Sequence, residues 1–238
     1  MTDLLALLSY GDRGWGDELL LGLSVTLALA LTTAPFALGM SFVVAWGKHA
    51  RNPVLRNLAF AYTTVFRSLP ELLTLLIIYY QLQAVLNWVA GFAVTGANVS
   101  LNPFAAGVVA LTLVFSALGS EVVRSAYQAV GRGQAEAATA LGLRRRHVFT
   151  RIVLPQMWRH AIPALGNLWL ILLKDTALVS IIAVSDLVRY ANMAIATTKE
   201  PFFFYTLLAL IYVTLAFLSG RVQALLERRA TIGVAEGR

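Results

Sequence analysis

An all-α protein that crosses a membrane five times is what this sequence predicts, on three observations. Of its 238 residues 58% are hydrophobic and 13% charged, with a mean hydropathy of +0.72, far above soluble domains. Uncharged stretches run over residues 19–47, 72–120 and 201–220, and about 20 helical residues suffice to cross a bilayer. The basic residues, finally, gather on one side of the predicted spans. The same composition excludes a disordered chain and a collagenous fibre, and the absence of cysteine excludes a disulfide-stapled scaffold.

The first span covers about 19–46, long enough to tilt or protrude, and Pro35 is expected to kink it. Asp3, Asp12, Asp17 and Glu18 precede it where a secretory signal would carry basic residues, so this span is expected to remain in the mature chain. Asn52-Pro53 has the chemistry of a helix opening, with Asn as cap and Pro at the first helical position, and it begins a second span over about 54–88 that Arg67 and Pro70 interrupt. A turn-rich, uncharged stretch follows, and Asn102-Pro103 opens the third span, 103–127. A cationic loop of about 128–156 leads to a fourth span, 160–185, and Pro201 opens the fifth, 201–226. The whole of 1–238 reads as one transmembrane domain.

Five spans put the termini on opposite sides. One side then collects Lys48, Arg51, Arg56, Arg124, Arg132, Arg144, Arg145, Arg146, Arg151, Arg159, Arg221, Arg228, Arg229 and Arg238, against only Arg13, Arg189 and Lys199 on the other. Because cationic loops are retained in the cytoplasm, the N-terminus is expected outside and the C-terminus inside. The net charge of +7 is thereby accounted for without nucleic acid.

Within the cationic loop, residues 134–143 (QAEAATALGL) form an alanine-rich helix that Gly142 is expected to end in a left-handed cap. Ala137 and Ala138 would let another protein approach its backbone closely, and Glu136 near its N-terminal end suits the helix dipole. No Walker A loop accompanies it: the only Gly-Lys, Gly47-Lys48, is followed by His49, with Phe42 where the first glycine belongs.

Glu136-Ala137-Ala138, three residues, Gly142, nine residues and Ile152-Val153-Leu154-Pro155 together resemble the EAA motif of bacterial ATP-binding-cassette (ABC) importer permeases. The similarity continues through Phe66-Arg67-Ser68-Leu69-Pro70 and through residues 174–180 (KDTALVS). It spans nearly the whole chain, and it is strongest to the Q-type permeases for polar amino acids: histidine, lysine/arginine/ornithine and opines. The resemblance implies a type I importer permease fold (MetI-like) with a cytoplasmic coupling helix, in the bacterial inner membrane. It implies as partners two cytoplasmic ATPases, a second permease of the M type, a periplasmic solute-binding protein and membrane lipids. ATP and Mg would be bound by the ATPases and no cofactor by this chain. Glu136, Ala137, Ala138 and Gly142 would be coupling contacts, with Leu154 and Pro155 setting re-entry into the membrane.

Charges at membrane depth are costly, which makes them functional candidates. Glu71, Glu121 and Asp175 are the candidates for a substrate path. Arg67, Arg124 and Lys174 are assigned structural or ion-pair roles: Arg67 is spaced to meet Glu71 and Arg124 to meet Glu121, whereas Lys174 and Asp175, about 100° apart on a helix, need other partners. The Arg144–Arg146 triplet reads as lipid-facing anchors. An ATP-independent secondary transporter or channel is the competing class, but no inverted repeat is evident. An intramembrane enzyme is disfavoured because His49, His147 and His160 all fall in the cytoplasmic loops of this reading.

Overall fold

The computed structural model describes residues 6–11, 14–93 and 100–231, and among them every regular element is helical. In chain order the principal helices are α1 (Gly16–Lys48), α2 (Pro53–Ser68), α3 (Glu71–Ala93), α4 (Pro103–Ala129), α5 (Arg132–Ala140), α6 (Leu154–Asp175), α7 (Leu187–Thr198) and α8 (Pro201–Thr231). A single turn, Arg145–His147, and a π-helical stretch, Val148–Val153, lead into α6, which passes into a 3-10 stretch, Thr176–Ile182. Among the described residues, five segments are long and apolar enough to cross a membrane: Gly16–Lys48, Glu71–Val89, Pro103–Ala129, Arg145–Ile182 and Pro201–Ala230.

Both Asn-Pro openings form as the sequence reading expects. Asn52 accepts a hydrogen bond from the Val54 N–H and Asn102 one from the Phe104 N–H, each at 2.9 Å, with proline in the first helical position. Pro35 lies inside α1, whose helical hydrogen bonding continues on both sides of it.

The expected second span resolves into two helices. Leu69 adopts an extended conformation (φ −86°, ψ 142°), as a residue before proline does, so α2 ends there and α3 begins after Pro70. Only α3 has the length and hydropathy of a span. The helix that carries the expected fourth span starts before residue 160 and gives way to a tighter 3-10 coil at Thr176.

α1 and α4 form the centre of the packing. Leu29, Ala37, Ala110, Leu111, Val114 and Phe115 are buried between them and against Leu172 and Val179. Small residues permit that approach, as expected where helices associate by close contact rather than by expulsion of water. At Gly119 an added methyl group would overlap Ser41 of α1. A second cluster joins the end of α4 to α5 and the start of α6 through Ala126, Val130, Ala138, Val148, Val153 and Met157. A third joins the start of α1 to α7 and α8.

Candidate functional site

Two regions hold the candidate residues, the short helix α5 and a group of charges where α1, α2 and α4 meet. The first is α5. Its C-terminus is closed by Gly142 at φ +81°, with the Gly142 N–H donating to the Thr139 carbonyl at 2.9 Å and the Leu143 N–H to that of Ala138 at 3.2 Å. This is the paired hydrogen bonding of a Schellman cap, and it fixes both the length of the helix and the direction in which the chain leaves it.

The side chains of α5 divide by face. Glu136 and Ala137 are exposed, and Gly142 is exposed beyond the cap. Ala138 is turned inward instead, 5% exposed against Val148 and Val153. Leu154 packs on the edge of the same cluster, and Pro155 stands exposed in the first turn of α6. The residues expected to act together therefore fall into an outward set and a set that seats the helix on its own chain.

The second region centres on Glu121 of α4. Its carboxylate meets Lys48 Nζ at 2.5 Å, Arg124 Nε at 2.9 Å and Arg67 Nη1 at 3.9 Å. Lys48 also donates to Ser120 Oγ at 3.3 Å and lies over the Phe60 ring, 5.5 Å from its centroid. Its side chain is wholly buried. A lysine in that position needs a counter-ion, and Glu121 supplies it.

Two expectations change here. Arg67 is directed to Glu121 and not to Glu71, because the extended Leu69 and Pro70 destroy the helical register that would have placed Arg67 and Glu71 on one face. Lys174 is exposed and takes part in none of the ion pairs among the described residues. His160 lies within α6.

Lys48 is the residue that sequence reasoning missed. It follows an apolar run and precedes Arg51 and Arg56, so it reads as one more loop cation; its partner is 73 positions away. No local spacing signals such a pair.

Glu71 and Asp175 come within electrostatic reach of each other, Glu71 at the start of α3 and Asp175 at the end of α6. Asp175 Oδ2 is buried without a hydrogen-bond partner, whereas Glu71 is exposed. The structure thus separates the three acids: Glu121 is paired within its own chain, whereas Glu71 and Asp175 belong to none of the ion pairs among the described residues, and Asp175 also lies within electrostatic reach of Lys174.

A family model for the inner membrane component of binding-protein-dependent transport systems matches residues 37–232. The chain belongs to that family. This permease is 38% identical over 221 residues to the histidine/lysine/arginine/ornithine transport system permease protein HisQ of Escherichia coli K12, an alignment covering 93% of this chain and 96% of HisQ. It is 40% identical over 222 residues to the arginine ABC transporter permease protein ArtQ of the same organism, covering 88% and 92%. Against the octopine transport system permease protein OccQ of Rhizobium meliloti it is 34% identical over 235 residues, covering 98% of each chain.

Among solved structures, an amino acid ABC transporter crystallised with histidines aligns with a TM-score of 0.77 and 31% identity over 90% of this permease and 95% of that chain. The MetNI methionine ABC transporter in an inward-facing conformation aligns with a TM-score of 0.69 at 19% identity, over 90% and 96%. The fold is that of a type I ABC importer permease, MetI-like and all-helical.

Proposed function

We propose that this permease moves polar amino acids or opines, basic ones foremost, from periplasm to cytoplasm, driven by two partner ATPases that bind ATP and Mg and dock on α5. The observation that carries the docking is the division of that helix: Glu136 and Ala137 point outward on a helix whose Ala138 face and Schellman cap hold it rigidly to its own chain. ATP-driven closure of the ATPases can move a permease only through such a stiff joint. The names of HisQ, ArtQ and OccQ support the solute class. The distribution of Lys and Arg supports a periplasmic N-terminus and a cytoplasmic C-terminus.

In this reading Glu136, Ala137 and Gly142 form the coupling surface, Ala138 seats the helix, and Leu154 and Pro155 direct the chain back into the membrane. Glu71 and Asp175 attract a cationic solute. Glu121 acts chiefly as the counter-ion of Lys48 and Arg124, with Arg67 nearby. A second permease subunit of the M type completes the path, and a periplasmic solute-binding protein supplies it. The domain extends through 1–238. The ATP-independent transporter or channel is not favoured by relatives named as components of ABC systems.

Uptake of labelled arginine, histidine and octopine into vesicles carrying the reconstituted system tests the reading. ATP-dependent uptake that excess arginine, lysine or octopine suppresses is the expected result. Uptake independent of ATP would overturn the coupling, and indifference to all basic competitors would overturn the solute class.

A further inference from the structure

A cavity of about 260 Å3 lies where the last turns of α1 meet the end of α4. Met157, 2% exposed, lies at its base, Trp46, Tyr127 and Phe149 wall it, and Arg124 and His49 complete the lining. The aromatic walls are open to the surroundings: Trp46 is 77% exposed and Tyr127 45%.

Charge, position and size each bear on what fits there. Lys48, Arg67 and Arg124 share the one carboxylate of Glu121, so the neighbourhood holds more positive than negative charge. Arg124 spends only its Nε on Glu121, and among the described residues no hydrogen bond engages its terminal nitrogens. His49 cannot supply the missing negative charge; its Nδ1 donates to the Ala45 carbonyl at 2.9 Å and its ring stands edge-on to Tyr127. Trp, Tyr and Arg at the end of a span mark the headgroup depth of a bilayer, and basic pockets between spans on the cytoplasmic side suit anionic lipid headgroups. With a water molecule taking about 30 Å3, the cavity has room for a phosphate and the start of a glycerol backbone. Acyl chains would run outside it, along Val43 and Trp46, both exposed.

We propose that this cavity binds the phosphate headgroup of an anionic phospholipid, the phosphate on the terminal nitrogens of Arg124 and the glycerol against Trp46 and Tyr127. Phe149 belongs to the π-helical stretch between α5 and α6, so the lipid would brace the segment that joins the coupling helix to the spans. The proposed orientation in the membrane supplies only the leaflet, the cytoplasmic one; the site itself does not depend on the solute carried.

The test is native mass spectrometry of the purified permease–ATPase complex, titrated in turn with dioleoylphosphatidylglycerol, dioleoylphosphatidylcholine and inorganic phosphate. Phosphatidylglycerol should be retained in about fivefold excess over phosphatidylcholine, the size expected of one arginine near the membrane surface. Arg124→Gln should abolish the excess and Trp46→Ala should lower retention of both lipids. If Arg124→Gln does not assemble, because Glu121 has lost a partner, Trp46→Ala and Tyr127→Ala carry the comparison, since both rings are exposed. Equal retention of the two lipids by the unmodified complex would overturn the proposal, as would an undiminished excess in Arg124→Gln or undiminished lipid retention in Trp46→Ala and Tyr127→Ala. Saturation by inorganic phosphate without preference between lipids would assign the site to a soluble anion instead. The readout is lipid mass on the complex, so it fails or succeeds independently of whether basic amino acids are transported.

Discussion

Glu121 and Glu136 lie on consecutive helices, and the fold treats them in opposite ways. Glu121 is enclosed by three cations from α1, α2 and α4, all of its own chain. Glu136 is exposed on α5 and belongs to none of the ion pairs among the described residues. An acid satisfied inside its chain organises the fold, whereas one held out on a rigid support is available to a partner.

Reversing the outward acid gives the largest expected effect on transport. Glu136→Lys should leave the chain in the membrane fraction at normal abundance, because no ion pair among the described residues uses that carboxylate. Uptake should fall by roughly 30-fold or more, since losing one member of a hydrogen-bonded charge pair at an interface costs about 2 kcal/mol or more. Immunoblots of membranes beside vesicle uptake separate the two effects. Full uptake in this variant would remove Glu136 from the coupling surface.

Disturbing the inward acid should act on stability instead. Glu121→Gln leaves Lys48, Arg67 and Arg124 without their shared counter-ion; because only Lys48 is wholly buried, the cost should lie below the about 3–5 kcal/mol of a fully buried pair. Lys48→Met should cost less, because Glu121 keeps Arg124. The double variant should melt above Glu121→Gln alone, since one stranded cation has gone with the acid. Thermal unfolding of the purified complex checks the order, and equal losses in both single variants would show that Glu121 is not the centre of the group.

A smaller change probes the support of the outward acid. Gly142 holds φ +81°, a region in which an L side chain costs about 1–2 kcal/mol. Gly142→Ala should therefore loosen the cap and reduce solute-stimulated ATP hydrolysis several-fold, with global melting little altered. Gly39→Ala, in the interior of α1 where a methyl group would meet nothing, should instead be neutral or stabilising by up to about 1 kcal/mol. Equal behaviour of the two variants would deny the cap its role.

The sequence made much of the outward region legible because its signals are local. A run of alanines, a glycine two residues past the helix and an asparagine before a proline each act within a few positions, and hydropathy located the spans for the same reason. The inward region was illegible where its contacts are distant. Arg67 could be matched only with acids near it in sequence, and Glu71 was the wrong one once Pro70 broke the register. Lys48 looked like loop charge until α1 and α4 were packed side by side. Ala138 shows an intermediate case: its small size was legible, but only the fold shows that it serves its own chain's packing.

Asp186 stands between the two glutamates and refines the comparison. It is fully buried at the start of α7, with Oδ1 accepting from the Arg189 N–H at 2.9 Å and Oδ2 without a partner. Burial pushes its carboxyl up to about 6 from an ordinary 3.8, against the smaller favourable effect of the backbone N–H groups it caps. Because the folded value is the higher one, ionisation opposes folding: the contribution is intact below about pH 4 and is lost as the pH rises through about 6. Asp186→Asn keeps the capping oxygen and carries no charge, so it should melt above the parent at about pH 8, by an advantage that shrinks by about half at pH 5 and disappears below pH 4. An advantage that does not change with pH would mean that the carboxyl is already compensated in the folded state, placing Asp186 with Glu121 among the acids satisfied by their own chain.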